Sequence, residues 1–220
     1  MSQALFQYPK QAAVGNTIPK NKIYEKASSS HAIREKFVSQ VDKIIWQYKL
    51  SPETINLSSR PNVPEIEIFS ILLKTPELSE EVLRCIDQVI PLPIFYQLIF
   101  NHQIKIIAAY KRPSDADNSK WVVDTYFETP WQENSTRMAL PLALDLEGLY
   151  EKMLFNLISQ EPRSGESLKS MVERLKQIRI KQVEYRKIEV LLHNEKQFNR
   201  KVELNAQLRS LKNELELLSS

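Results

Sequence analysis

The chain has 220 residues, of which 42% are hydrophobic, and its formal net charge is +3. That length and composition suit one domain with a sizeable core plus an appendage. Only 3 glycines accompany 12 prolines, which argues against glycine-rich phosphate-binding loops and long flexible linkers. We therefore predict no cofactor.

The sequence also bears on the compartment of the protein. The single cysteine, Cys85, cannot form an internal disulfide and is expected to be a buried side chain in a helix. The first ten residues lack the apolar segment of a signal peptide, and no apolar run approaches the about 20 residues that span a bilayer. These features predict a cytoplasmic protein in a reducing compartment, with no membrane partner.

An extended N-terminal arm is predicted over residues 1–30, because this stretch contains prolines and lysines but few large apolar side chains. Serines 28–30 then offer N-caps for a helix. Apolar residues recur at helical spacing from His31 to about Leu50, which predicts one helix over that range. The recurring residues are Ile33, Phe37, Val41, Ile44, Ile45 and Tyr48. Pro52 ends this helix, and residues 54–57 are interpreted as a short strand.

The middle of the chain alternates strand and helix patterns. We predict strands over residues 65–74, 94–100, 103–110 and 121–127, which are rich in β-branched and aromatic side chains. Asn101 and His102 give the second and third of these strands the spacing of a tight hairpin. Helices are predicted from Ser79, an N-cap candidate, to Ile90, and over residues 145–158. The fold class is α+β over residues 31–162, with helices on one face of an antiparallel or mixed sheet.

A C-terminal helical or coiled-coil extension is predicted over residues 163–220, since no Gly or Pro occurs between Glu166 and Leu218. Apolar residues line two seams whose phases differ, so residues 193–205 are either a stutter in one long helix or the corner of a helical hairpin. Such a charged helix must bury its apolar stripe against another helix. The predicted partner-binding residues are Leu168, Met171, Leu175, Ile178, Phe198, Leu204, Leu208, Leu211, Leu215 and Leu218.

Basic residues are concentrated in the first half of the extension, where ten Lys and Arg stand against four Glu between Lys169 and Lys201. A second basic stretch interleaves with aromatic residues between Tyr110 and Trp131. Both patterns are typical of a solvated surface and also of one that contacts phosphates or an acidic partner. The candidates for nucleic-acid binding are Lys111, Arg112, Lys120, Arg174, Lys181, Arg186, Lys187, Arg200 and Lys201.

The sequence contains no recognisable catalytic motif. None of the three histidines stands at metal-ligand spacing from another His or from Cys85, so no metal site is predicted. One arrangement offers an alternative: Glu65 and Glu67 on one strand could meet Lys105 on another, giving magnesium ligands and a neutralising lysine. Alternating polar residues on the solvent face of a sheet produce the same pattern.

Four stretches together are similar to a known family. They are IPKNKIYE at 18–25, QVDKIIWQYKLSPETINL at 40–57, AAYKR at 108–112 and EKQFNRKVELN at 195–205. They resemble the bacterial domain-of-unknown-function family numbered four-three-nine-one, over nearly the whole chain. The resemblance implies no assigned activity. It implies a setting beside DNA methyltransferase and helicase genes in restriction-like or phage-defence islands.

Two hypotheses of different classes follow. In the first, the chain is a non-catalytic accessory or adaptor subunit of a phage-defence or restriction-modification-like complex. Its extension binds a helicase, a DNA methyltransferase or another copy of itself, while Lys and Arg side chains approach DNA. In the second, the chain is a metal-dependent nuclease of the same kind of system. We favour the first, because assembly features are strong and no catalytic constellation is recognisable.

Overall fold

The computed structural model describes residues 5–114, 121–134 and 137–219. The chain divides into two compact units, with the division between Glu161 and Pro162. The first unit contains the described strands and the shorter helices, and the second contains two long helices.

The first unit is built on a mixed sheet. Its strands, in chain order, are β1 Phe6–Gln7, β2 Ala13–Ile18, β3 Val41–Leu50, β4 Ile66–Leu73, β5 Ile94–Phe100, β6 Gln103–Pro113, β7 Trp121–Glu128, β8 Gln132–Glu133 and β9 Met138–Ala139. Among the described residues, the main sheet has seven strands in the order β2-β3-β4-β5-β6-β7, with β8 paired to β6. All its pairs are antiparallel except β4 with β5. Strands β1 and β9 form a separate parallel pair.

The helices of the first unit connect and cover these strands. They are α1 Lys20–Lys26, α2 His31–Gln40, α3 Pro52–Ile55, α4 Glu80–Val89 and α5 Leu146–Phe155. Helix α4 joins the two parallel strands β4 and β5, so this part of the chain is a β-α-β crossover. Strand β4 is buried along nearly its whole length.

Helices cover both faces of the sheet. Consecutive residues of β5 point to opposite faces. Tyr96 belongs to a core shared with side chains of α1, α2 and α4, whereas the ring of Phe95 contacts Tyr150 of α5, with ring centroids 6.1 Å apart. The prediction that helices cover one face only is therefore wrong, because the crossover places β4 and β5 in the interior, where both faces must be covered.

The helix predicted over residues 31–50 is correct only in its first half. Helix α2 ends at Gln40 and the chain continues as β3, between β2 and β4. Val41 and Ile44 stand three residues apart, which is a helical spacing, yet both belong to the same sheet core. A register shift between Val41 and Lys43 explains this, because a β-bulge turns the later residues to the other face. The bulge thus reproduces a helical period within a strand.

Two local predictions near the N-terminus also need correction. The strand predicted over residues 54–57 is not formed. Pro52 begins the short helix α3, and the Thr54 hydroxyl accepts the backbone N–H of Ser51 at 2.8 Å, as in a capped helix start. The predicted arm is not simply extended, because β2 pairs with β3 and α1 follows it.

The predicted hairpin between β5 and β6 is confirmed. Asn101 and His102 connect the two antiparallel strands, and their φ angles are +46° and +66°. Two consecutive residues with positive φ match the twist of a two-residue hairpin. The remaining predicted strands and the helices α4 and α5 also lie within a few residues of the predicted positions.

The second unit is an antiparallel helical hairpin of α6 Leu168–Asn194 and α7 Phe198–Ser219. Lys181 of α6 forms an ion pair with Glu214 of α7. The Arg174 guanidinium donates to the carbonyl oxygen of Leu218 at 3.2 Å. Because the first half of α6 contacts the last turns of α7, the two helices run in opposite directions.

The corner of the hairpin forms without glycine or proline. The Glu195 carboxylate accepts the backbone N–H groups of Lys196 at 2.7 Å and of Gln197 at 2.9 Å. These two contacts satisfy amides at the start of α7 that have no partner within the helix. Of the two arrangements that the sequence leaves open, the structure has the hairpin. The chain is thus a mixed α+β protein with two long C-terminal helices.

Candidate functional site

The outer side of α6 carries an exposed apolar surface, which we call the α6 outer face and define as Ile180, Val183, Lys187, Val190 and Leu191. The four apolar side chains are 47–60% exposed. Their spacing along the helix places them on one side. An open groove of about 640 Å³ lies along the Val183 to Leu191 half of this face, and another of about 470 Å³ adjoins it at the Ile180 end.

Positive charge borders the α6 outer face. Arg179, Arg186 and Lys187 line the two grooves, together with a single acidic residue, Glu184. None of these three cations forms an ion pair within the described part of the chain, whereas Lys181 on the neighbouring side pairs with Glu214. The face therefore combines exposed apolar groups with uncompensated positive charge.

The ten predicted partner-binding residues are placed differently. Five are buried by their own chain: Leu168, Met171, Ile178, Leu204 and Leu211. Four are half-buried: Leu175, Leu208, Leu215 and Leu218. Phe198 alone is largely exposed, at 78%, and Val202 beside it is exposed as well. The two seams thus lie mostly inside the folded chain. The exposed large apolar side chains of the described part of the hairpin are Phe198, Val202, Leu217 and the four of the α6 outer face, and only those four line the two open grooves.

Sequence reasoning missed the α6 outer face because it assigned α6 a single stripe. The residues left outside that stripe carry a signal of their own. Ile180, Val183 and Val190 recur at intervals of three and seven, which predicts a second apolar side of the same helix. A helix with two apolar sides can pack on its hairpin partner and still have a surface for another protein.

A pair of carboxyl groups lies at the start of β4. Glu67 is 3% exposed, and the Trp46 indole N–H donates to its Oε2. Lys49 of β3 lies opposite Glu67 of β4 but forms its ion pair with Glu65. Burial raises the pKa of Glu67 to about 7, the Trp46 hydrogen bond opposes this rise, and the nearby Glu65 carboxylate adds to it. A carboxyl group that titrates near neutrality can give or take a proton under ordinary conditions.

The structure does not bring Lys105 to this pair. Lys105 lies opposite Leu98 of β5, which in turn lies opposite Ile71 of β4. Ile71 is four residues beyond Glu67, a separation of about 13 Å along a strand. Lys105 instead forms an ion pair with Glu128, with Nζ and Oε1 2.8 Å apart. The lysine beside the two glutamates is Lys49, which the sequence analysis did not select.

A buried polar network connects α4 with the strands. Asp87 of α4 accepts hydrogen bonds from Tyr96 at 2.5 Å and from Tyr126. The Lys111 ammonium group donates hydrogen bonds to the carbonyl oxygens of Ile90 at 2.9 Å and Leu92 at 2.6 Å. Burial lowers the pKa of Lys111, and the charge of Asp87 opposes that shift. Both charged side chains have partners inside the protein, so this network holds the fold together and presents nothing to a ligand.

The nine candidates for nucleic-acid binding divide by exposure. Lys111 and Arg174 are buried, so the prediction that they contact phosphates is wrong. Lys181 pairs with Glu214, and Arg200 pairs with Glu203. Arg112 donates to the carbonyl oxygen of Pro113 at 3.3 Å, and Lys120 lies outside the described residues. Of the nine candidates, Arg186, Lys187 and Lys201 are exposed and have no ion pair in the described part of the chain.

Among residues 5–114, 121–134 and 137–219, no three His, Cys, Asp or Glu side chains cluster as metal ligands. In the same ranges, every helix is too short or too polar to cross a membrane. Cys85 is buried, and its thiol lies 2.9 Å from the Ser29 hydroxyl. Burial raises the pKa of this thiol, which disfavours the reactive thiolate.

Comparison with known proteins identifies a family whose description assigns no function. No curated protein and no solved structure matches the sequence. The family described as domain of unknown function (DUF4391) matches residues 6–215, which include both compact units. The chain belongs to the DUF4391 family.

Proposed function

We propose that the chain is a non-catalytic accessory or adaptor subunit of a phage-defence or restriction-modification-like complex in the bacterial cytoplasm. In this proposal, the C-terminal hairpin binds a partner protein, and exposed Lys and Arg side chains of the hairpin approach DNA. The observation that carries it is the α6 outer face, where four apolar side chains remain about half exposed on a helix that already packs on α7. Exposed contiguous apolar surface of this kind is typical of protein interaction sites.

The partners follow from the setting that the family resemblance implies, beside genes of a helicase and a DNA methyltransferase. Both are enzymes that act on DNA, and a subunit without its own catalytic constellation contributes by assembling or positioning them. A second copy of the chain is the alternative partner in this proposal. The exposed cations Arg186, Lys187 and Lys201 would add a salt-dependent contact with DNA.

The test is the mass of the complex by light scattering after co-expression with the helicase and the DNA methyltransferase that this proposal assigns as partners. Val183→Asp combined with Val190→Asp places two charges on the apolar groove. Both positions are exposed, so the variant is expected to fold and to lose the complex. Leu142→Asp combined with Leu144→Asp is the matched control, because these leucines are also exposed but belong to the first unit. Retention of all partners by the groove variant would refute the proposal.

A deletion separates assembly from folding. Removal of residues 163–220 is expected to abolish the complex while the first unit, which ends at Glu161, keeps a cooperative unfolding transition. A shortened chain that still enters the complex would place the binding surface on the first unit and would contradict this function.

The second candidate function is a metal-dependent nuclease at Glu65 and Glu67. One observation favours it: two carboxyl groups lie side by side, and the pKa of Glu67 is raised to about 7, a perturbation common at catalytic sites. Metal-dependent DNA cleavage by the assembled system should then disappear with Glu67→Ala and persist with Glu128→Ala. Cleavage that survives Glu67→Ala excludes this site.

A further inference from the structure

We propose that the α6 outer face binds an acidic amphipathic helix of a partner protein, one whose apolar stripe is flanked by Asp and Glu. This inference rests on the proposed function and specifies the chemistry of the partner. It follows from the shape, the apolar side chains and the charge of one surface.

The length and spacing of the face suit a helix. Ile180 and Leu191 lie eleven residues apart in α6, which is about 16 Å along the helix axis. The apolar side chains in this span follow one side of α6 with open grooves between them. Ridges of side chains on one helix pack into grooves on another, so about three turns of a partner helix would cover the face.

The charge of the face selects the kind of helix. Arg179 and Arg186 lie beside the apolar side chains, Lys187 lies among them, and Glu184 is the one acidic residue that lines the two grooves. None of the three cations has an ion-pair partner in the described part of the chain. A partner with Asp or Glu beside its apolar stripe would supply the missing charge, and complementary charges direct helix pairing.

The same charges disfavour a second copy of the chain on this face. Lys187 stands in the centre of the face, between Val183 and Val190. A parallel pair of α6 helices would set Lys187 against its equivalent. In either direction, two faces that each carry three cations and only one carboxylate would meet. Like charges held together at an interface oppose association.

The apolar side chains also argue against nucleic acid on this face. A phosphate backbone complements Arg and Lys but provides nothing to cover Val183, Val190 and Leu191. Protein interfaces, by contrast, combine an apolar centre with a charged rim. The arrangement on α6 resembles the second pattern, because Arg179 and Arg186 lie beside a stripe of valine, isoleucine and leucine.

The test uses the full chain and two synthetic helical peptides of about four heptads. Both carry Ile and Leu in the core positions, one has Glu at all flanking positions, and the other has Lys there. We expect the acidic peptide to bind at least about tenfold more tightly than the basic one by fluorescence anisotropy. Equal binding of the two peptides, or binding of neither, overturns the inference.

Charge reversal locates the interaction. Arg186→Glu combined with Lys187→Glu is expected to reverse the preference, so that the basic peptide binds more tightly. Arg209→Glu combined with Lys212→Glu makes the same change of charge at exposed positions of α7 and should leave the preference unchanged. If the α7 variant reverses the peptide preference, or if the α6 variant does not, the peptide does not bind at the α6 outer face. A duplex DNA that displaces the acidic peptide from the wild-type chain by occupying this face would identify nucleic acid as its ligand instead.

Complex formation distinguishes this inference from the function on which it rests. Suppose that Val183→Asp with Val190→Asp abolishes the complex but the charge reversal on α6 leaves it unchanged. The hairpin is then the assembly surface, and the inference that its partner is an acidic helix is wrong. If neither variant alters the complex, the proposed function fails as well.

Discussion

Asp87 and Lys111 form an ion pair, with Oδ1 and Nζ 2.8 Å apart, and neither side chain has any exposed surface. The pair joins helix α4 to strand β6. Lys111 also holds the segment after α4 through the carbonyl oxygens of Ile90 and Leu92. Two tyrosine hydroxyls complete the shell around Asp87. Such a pair tolerates burial because further hydrogen bonds satisfy both charges.

Removing one member of this pair should destabilise the first unit strongly. Lys111→Met leaves the charge of Asp87 buried without its counter-ion, and such a change costs about 3–5 kcal/mol. The free energy of unfolding in urea measures the effect. Lys105→Met is the control, since Lys105 lies in the same strand but its partner Glu128 is exposed. Exposed pairs contribute about 0–1 kcal/mol, so equal losses from the two variants would contradict the role given to Asp87.

Glu67 should make the stability of the first unit depend on pH. Its pKa is about 7 in the folded chain and about 4.5 when unfolded, so between these values the folded state holds a proton that the unfolded state has released. The contribution of Glu67 to stability is therefore greatest below about pH 4.5. This contribution falls as pH rises from about 4.5 to about 7, and it does not change further above pH 7. The full effect is about 3–4 kcal/mol, since each pKa unit corresponds to about 1.4 kcal/mol.

Glu67→Gln tests this dependence, because glutamine keeps an oxygen for the Trp46 N–H and offers its own N–H to Glu65. The free energy of unfolding of this variant in urea should equal or fall below that of the wild type at pH 4.5. At pH 8 it should exceed that of the wild type. Glu128→Gln, at an exposed position, serves as the control and should reproduce the wild-type profile. A wild-type profile in the Glu67→Gln variant would show that Glu67 is not the titrating group.

The turn at Asn101 and His102 offers a stabilising substitution. Both residues have positive φ, which costs a non-glycine residue about 1 kcal/mol and glycine almost nothing. Part of that gain is offset because glycine loses more chain entropy on folding. His102→Gly should therefore range from neutral to about 1 kcal/mol more stable in thermal unfolding. Asn101→Val is the opposing case, since a β-branched residue is strained at positive φ, and it should lower stability.

Much of the fold could be predicted because local signals and tertiary structure agree there. The hairpin at Asn101 and His102 has turn residues between β-rich runs, and α4 has an acidic first turn and an apolar face. Strand β3 could not be predicted in this way. Its bulge after Val41 imitates helical spacing, and its pairing with β2 and β4 depends on residues distant in sequence.

The candidate sites were predictable to a different degree. Glu65 and Glu67 are neighbours because Glu65 immediately precedes β4 and Glu67 is the second residue of that strand, a closeness that the sequence shows directly. The distance from Glu67 to Lys105 depends on the register of β4, β5 and β6, which no local pattern contains. The burial of Lys111 likewise depends on Asp87, 24 residues earlier in the sequence.

The phase difference between the two apolar seams showed that residues 193–205 interrupt one regular helix, but it fitted a stutter as well as a hairpin corner. The choice depends on contacts between α6 and α7, such as the ion pair of Lys181 with Glu214, which no local pattern contains.

The start of α6 should be sensitive to acid. The Glu166 carboxylate accepts two hydrogen bonds from Arg174, each 2.7 Å long, and these lower the pKa of Glu166 to about 2. The folded pKa lies below the unfolded value, so the stabilisation by this pair is complete above about pH 4.5 and is lost as pH falls through about 2. Glu166→Gln should accelerate amide hydrogen exchange in residues 168–178 at pH 7.

The difference in exchange between Glu166→Gln and the wild type should then shrink as pH falls towards about 2, where Glu166 itself becomes neutral. Glu173→Gln is the matched control, because Glu173 lies in the same helix but is exposed. Exchange that is unchanged by Glu166→Gln at pH 7 would contradict the role of the pair. Faster exchange confined to the start of α6, with the peptide preference of the outer face retained, would show that the two ends of the hairpin act independently.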